Sequence, residues 1–307
     1  MKTRTSGLTV IEILVVVGII ALLVGMLLPA VHTVQKMAKE TKQKAQFTSI
    51  DLGLAAFKSD YGEYPPSLWW NPSPTALPPN LQNYCGAQKL AEALLGWDLL
   101  GFHPGSAWQA DGLGLDLQAR PVPNTVYAAP DSLTKRKDRY LDLETANVFM
   151  LGSSGSATQD GLFADTGPLA PRTYVLCDVF SVSERKIQLT DGKTVNPGTP
   201  ILYYRANPAS KIHTATAPDT SIYCARDNAP LIALGKAADG MKPLAMRRQH
   251  PLLPDFMAPG FQSFYEYVRD PKVVARPWPY RPDSYLLISA GMDGLYGTDD
   301  DIRNFGQ

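Results

Sequence analysis

Residues 8–28, LTVIEILVVVGIIALLVGMLL, limit what this chain can fold into more than any other stretch. Apart from Thr9, Glu12, Gly18 and Gly25, every position is hydrophobic. As a helix rising about 1.5 Å per residue the run is roughly 31 Å long, which matches the roughly 30 Å hydrocarbon core of a bilayer. A secretory signal peptide carries a shorter apolar region of about 7 to 15 residues. The run therefore reads as a membrane helix, with the remaining chain as its cargo. Its single carboxylate, Glu12, is expensive in hydrocarbon, by a few kcal/mol or more, and so calls for a partner.

Beyond Pro29 the pattern changes without turning into a linker. Val31, Val34, Ala38, Phe47, Ile50, Leu54 and Phe57 recur at helical steps, with Lys36, Lys39, Glu40, Lys42 and Lys44 on the other face. This predicts an amphipathic continuation of the same helix, bent rather than ended at Pro29. Gly62, followed by Tyr64-Pro65-Pro66, marks its end near Asp60-Tyr61. The chain thus divides into residues 1–7, a membrane segment 8–29, a helical continuation 30–62 and a head 63–307.

The head is rich in loops, since the chain has 26 Pro and 24 Gly. Residues 65–79 read as an irregular loop whose Trp69 and Trp70 pack on the helix, and residues 152–161 read as a flexible loop. Apolar spacing predicts a short amphipathic helix over 88–100 and another over 261–268. Strands are expected at 173–180, 186–189, 201–204 and 284–290, with Asp191-Gly192 turning a hairpin. The run Lys135-Arg136-Lys137-Asp138-Arg139 reads as a solvated basic loop.

Charge is balanced, with 29 basic and 29 acidic residues, so no global field favours nucleic acid. Cys85, Cys177 and Cys224 allow either one disulfide with a thiol left over or three buried thiols. They form no zinc pattern with the scattered His32, His103, His213 and His250, which read as structural or exposed. HExxH, GxSxG and GxxxxGK are all missing, which argues against an enzyme.

Near the C-terminus, Asp293, Asp299, Asp300 and Asp301 share one loop with Gly294 and Gly297. Four acids in ten residues repel one another, and the loop reads either as a solvated turn or as an oxygen-donor site for calcium. Leu295 and Gly297 stand where an EF-hand needs Asp or Asn, so that motif is excluded.

Ser6-Gly7-Leu8-Thr9-Val10-Ile11-Glu12-Ile13-Leu14 resembles the class III signal of type IV pilins and of the pseudopilins of type II secretion. The resemblance implies that a prepilin peptidase cuts between Gly7 and Leu8 and that Leu8, where the family usually has Phe, is then methylated. It also implies that Glu12 pairs with the N-terminal amine of a neighbouring subunit. Pro29 suits such a stem, and Phe57–Pro65 is similar to the end of the stem helix in major pseudopilins. Ser289-Ala290-Gly291-Met292-Asp293-Gly294 through Phe305 resembles their C-terminal calcium loop, with Met292 where Ala is usual. By that match Asp293 and Asp301 are the first candidate calcium ligands, followed by Asp299 and Asp300.

The fold this resemblance implies is α+β and type IV pilin-like: a long transmembrane-plus-amphipathic helix packed on a small antiparallel sheet, here with a large loop-rich insertion. The implied function is a non-enzymatic pseudopilin that forms a homopolymer through its stem helix as part of a periplasmic filament for type II protein secretion. Its partners would be other pseudopilins, the inner-membrane assembly platform, the prepilin peptidase and the membrane itself, but no nucleic acid. It would cross the inner membrane once, with the N-terminus cytoplasmic and the head periplasmic, despite the lysines that follow the apolar run. The resemblance covers residues 1–66 and 284–305 only. A surface type IV pilin, or a membrane-tethered binding or enzymatic module on a borrowed stem, are the alternatives.

Overall fold

The computed structural model describes residues 9–68, 84–110, 114–115, 121–122, 126–152, 160–181, 185–189, 191–253 and 262–306. Trp69 and Trp70, and most of the expected 152–161 loop, lie outside these residues. One helix, α1 (Val10–Tyr61), dominates the N-terminal part. It continues through Pro29, so the proline does not end it, and it stops where Gly62 takes a φ of +84° that β-carbon-bearing residues disfavour.

The chain divides into two compact units, Met1–Lys42 and Gln43–Gln307. In the first, α1 is long and apolar enough to cross a membrane, and the side chains between Val10 and Leu28 are exposed. Val31, Val34 and Ala38 are exposed as well. Burial along the helix begins only at Gln43, where chain from the head first reaches α1.

In the second unit, α1 supplies Phe47, Ile50, Leu54 and Phe57, all nearly inaccessible to solvent. Phe47, Ile50 and Leu54 pack on a three-stranded antiparallel sheet of Leu202–Arg205, Tyr285–Ser289 and Ile302–Arg303, with Tyr285–Ser289 in the middle, while Phe57 packs with Phe102 and Ala93. Strand period sorts the side chains. Tyr285 and Leu287 face Ile50, Leu54, Leu90 and Leu94, whereas Leu286 and Ile288 face Tyr204, Tyr223 and Phe264 on the other side. The central strand is therefore buried on both faces. The α+β layout expected from the sequence is present, with small antiparallel sheets beside the long helix.

Helix α2 (Gly86–Leu95) lies in the same core and is buried on every side, where an amphipathic helix was expected. Polar residues make this possible. Cys85 N donates to Gln88 Oε1 at 2.9 Å, and Asn228 Oδ1 accepts from Ala87 N at 2.9 Å while its Nδ2 donates to Tyr203 O at 2.7 Å. A β-carbon on Gly86 would run into Tyr203 O, so glycine lets α2 approach the strand. The helix ends at Leu95 rather than near 100, because Gly96 turns the chain with φ +88°.

Polar pins join α1 to the head along its length from Gln43 onward. Gln43 Oε1 accepts from Val179 N at 2.9 Å, and Gln46 Nε2 donates to Ala146 O at 3.0 Å and Cys177 O at 2.9 Å. Tyr285 OH donates to Asp51 Oδ1 and Tyr140 OH to Asp60 Oδ2, each at 2.6 Å.

Other expectations are trimmed by the tertiary structure. The run 173–180 narrows to a strand at Tyr174–Leu176, because Asp178 turns its carboxylate back onto Phe180 N. The Asp191-Gly192 hairpin forms, pairing Ile187–Gln188 with Thr194–Val195. Helix 261–268 shrinks to Phe264–Tyr267, preceded by a two-residue strand, Gln262–Ser263, that runs parallel to Leu252–Leu253. The basic run is not simply a solvated loop. The Arg136 side chain is 2% exposed, reaches both Asp98 oxygens at 2.6 and 2.8 Å, and lies over the Tyr127 ring. All three cysteines are buried free thiols.

Candidate functional site

Gly7 and Leu8, the two sides of the expected cleavage point, lie outside the described residues. Thr9 precedes the first turn of α1, and Glu12 stands three residues on. Both Thr9 N and Thr9 Oγ1 donate to Glu12 Oε2 at 2.8 Å, and Glu12 N donates back to Thr9 Oγ1 at 3.3 Å. This reciprocal arrangement is a capping box, which satisfies amides that the first turn leaves open. The resemblance, together with the cost of a lone buried charge, gave Glu12 an inter-subunit role; its spacing from Thr9 was also a helix-start signal. Both bonds to the carboxylate use Oε2, and Oε1 carries neither.

The acidic loop follows the central strand. Gly291 turns it with φ +64°, and a β-carbon there would strike the Asp300 carbonyl. Asp293 N donates to Asp300 Oδ2 at 2.9 Å, Leu295 N to Asp293 Oδ1 at 2.7 Å, and Gly297 N to Asp301 Oδ2 at 2.7 Å. Thr298 Oγ1 lies 2.6 Å from Asp300 Oδ1, and Tyr267 OH donates to Asp301 Oδ2. Asp299 is exposed. Three of the four expected carboxylates thus come together as a self-capping loop, with Asp299 on its outer surface.

Electrostatics separate these acids. Burial raises Asp301 to about 7, an effect that the Tyr267 and Gly297 hydrogen bonds reduce and the charges of Asp300 and Asp293 reinforce. Asp293 is raised mainly by burial. Burial also opposes ionisation of Asp300, yet hydrogen bonds from Thr298 and from the backbone of Asp293 outweigh it and hold this carboxyl below its ordinary value. Asp301 Oδ1 is buried without a hydrogen-bond partner.

A further acid belongs to this neighbourhood. Asp178 is fully buried, with Oδ1 accepting from Thr199 N at 3.0 Å and Phe180 N at 3.2 Å, and Oδ2 accepting from Ser289 Oγ at 3.0 Å. Burial pushes it up to about 7, and the charge of Asp300 adds to the rise. It joins the root of the acidic loop to the core. The sequence held a signal for it, namely a lone acid in the apolar run Val175-Leu176-Cys177-Asp178-Val179-Phe180.

The loop offers oxygen donors only, the chemistry a hard cation such as calcium takes. Among the described residues, however, no three or more Asp, Glu, His or Cys side chains are grouped to hold a metal ion. Asp293 Oδ1, both Asp300 oxygens and Asp301 Oδ2 accept from amides and hydroxyls around the loop, and Asp301 Oδ1 is a buried oxygen there with no partner.

His103, His213 and His250 are buried and hydrogen-bonded to the head. Comparison with protein-family models, curated proteins and solved structures gave no match.

Proposed function

We propose that this chain is the structural subunit of a pilin-like filament, a pseudopilin of the type II secretion kind, released from its leader between Gly7 and Leu8. One observation carries the reading: a single helix presents bare apolar surface from Val10 to Leu28 and then forms the spine of a well-packed head. Such a surface has no use in water, and in a bilayer it can pack against copies of itself. The subunits then assemble by bundling stems, with the heads outside the membrane.

Leader removal supplies the chemistry of register. Before cleavage Leu8 contributes a neutral peptide nitrogen; afterwards it carries an ammonium. Glu12, held at the helix start by Thr9, keeps Oε1 for the ammonium of a neighbouring copy, and pairing two charges in hydrocarbon removes the cost of leaving either alone. In the same reading Asp293 and Asp301 hold calcium, with Asp300 close by and Asp299 at the surface, and the ion stiffens the loop.

Mass spectrometry of the mature N-terminus tests the assignment. A methylated Leu8 is expected, whereas a chain starting after Ala30 or at an uncut Met1 would overturn it. For calcium, adding chelator should lower the melting temperature of the head, and an unchanged melt would reduce the loop to a self-capped turn.

A further inference from the structure

Two buried carboxylates of the head share the field of one buried lysine. Asp227, Glu92 and Lys89 are 1%, 2% and 5% exposed, and Lys89 is the shared cation in the field of both acids. Its ammonium donates to Leu68 O, and no ion pair with Asp227 or Glu92 forms within 4.0 Å. Glu92 accepts from Ser106 Oγ at 2.5 Å and Tyr127 OH at 2.7 Å, both at Oε1, and its Oε2 has no hydrogen-bond partner. Asp227 accepts from Ser67 Oγ through Oδ2 and has the Cys224 thiol, a weak donor, beside it, but its Oδ1 makes no ordinary hydrogen bond. A buried carboxylate in that condition is destabilising unless a further donor or cation reaches it.

Asp227 forms part of the wall of a cavity of about 290 Å³, near the lower end of ligand-site volumes. Pro66, Leu68 and Ile222 give this cavity apolar sides, and Ser67, Ser221 and Cys224 give it polar ones. Its other charged groups are already engaged: Arg205 reaches Glu63 Oε2 at 2.5 Å, and Asp219 lies 3.1 Å from Arg226. The charge left over in the cavity is therefore that of Asp227. Neither a soft metal nor a multidentate ion fits, because no three ligating side chains are grouped among the described residues.

We propose that this cavity is a binding site for a primary alkylammonium group, which donates to Asp227 and lays its alkyl stem against Pro66, Leu68 and Ile222. The charge-assisted bond replaces the missing partner of the carboxylate, and the apolar walls accept the methylenes. Burial holds the empty carboxyl up at about 7, so a bound cation would draw it back toward the ionised form. The ammonium can come from a free small amine or from a lysine side chain of another polypeptide. The adjoining residues 69–83 contain neither Lys nor Arg and cannot supply it. This site is independent of the filament reading.

The full-length chain in detergent is titrated calorimetrically with n-butylamine, with the neutral isostere 1-butanol, and with the peptide N-acetyl-Gly-Lys-Gly-amide. A buffer at about pH 8 keeps the carboxylate ionised and an alkylamine, with a pKa of about 10.4, protonated. Saturable binding of an ammonium probe is expected, at least about tenfold tighter than butanol and about tenfold weaker in Asp227→Asn. Preference for butylamine assigns the site to a small amine; preference for the peptide assigns it to lysine. Equal binding of amine and alcohol, unchanged affinity in the variant, or no saturable binding of either ammonium would overturn the proposal. The amine-to-alcohol ratio in the unmodified chain decides the matter even if Asp227→Asn does not fold.

Discussion

Replacing Gln46 by alanine tests how α1 is held in the head. Gln46 is 4% exposed, and its Nε2 donates to two carbonyls that belong to different segments, Ala146 and Cys177. The two losses are unequal. Cys177 O keeps a second donor, Asn147 Nδ2 at 3.0 Å, so it forfeits only an ordinary bond of about 1 kcal/mol. Ala146 O has no other donor among the hydrogen bonds of the described residues, and an unsatisfied buried carbonyl costs about 1 to 3 kcal/mol. Gln46→Ala should therefore destabilise the head by about 2 to 4 kcal/mol through these bonds, before any packing lost by truncation. Gln46→Met should cost less, because it fills the same space and removes Oε1, a buried acceptor that has no donor in the native protein. Urea unfolding of the full chain in detergent, followed by tyrosine and tryptophan fluorescence, measures both variants. An alanine variant within about 0.5 kcal/mol of the native chain, or a methionine variant worse than alanine, would refute this account of the pins.

Further outcomes follow from single residues. Burial lowers His250 to about 4, and its Nδ1 accepts from Tyr296 N at 3.1 Å, so it stays neutral in the folded state while the unfolded chain protonates near about 6.5. The unfolded state then binds more protons between those values, and stability falls as pH drops from about 6.5 to 4, by up to about 3 kcal/mol. Buried Asp178, Asp227 and Asp301, each raised to about 7, act in the opposite sense, so the loss should be read as the difference between native and His250→Asn curves. A variant that runs parallel to the native curve across that window would contradict it. Gly291→Ala should cost about 2 kcal/mol or more, since it combines a φ of +64° with a collision against the Asp300 carbonyl; an unchanged thermal melt would rule this out. Glu12→Gln should leave membrane insertion intact and reduce filament yield after leader removal; filaments formed at native yield would show that Glu12 acts only as a cap.

What the sequence revealed depended on whether one residue type could act without its neighbours. The 3.6-residue period of Phe47, Ile50, Leu54 and Phe57 was visible because apolar burial is additive along a helix face. Gln43 and Gln46 on that same buried surface were not, because their fate depends on carbonyl and amide groups more than a hundred residues away. Arg136 in a basic run looked solvated until Asp98 and the Tyr127 ring supplied its partners. Helix α2 is buried all round because the strands Tyr174–Leu176 and Leu202–Arg205 and the turn that carries Asn228 pack around it, all far from it in sequence. The acidic loop was legible as a cluster, and its glycines as turns. The role of Asp178 beneath it was not, since that contact joins residue 178 to residue 289.

The spacing of the pins along α1 has a mechanical consequence. Gln43, Gln46, Asp51 and Asp60 are bonded to Val179, to Ala146 and Cys177, to Tyr285 and to Tyr140, and span roughly 26 Å of helix. A pull along the axis of α1 loads these bonds together, in shear, and the interlocked side chains of Phe47, Ile50, Leu54 and Phe57 share the load. They would have to fail almost at once, so the head should resist an axial tug far better than a sideways peel that opens the same contacts one after another.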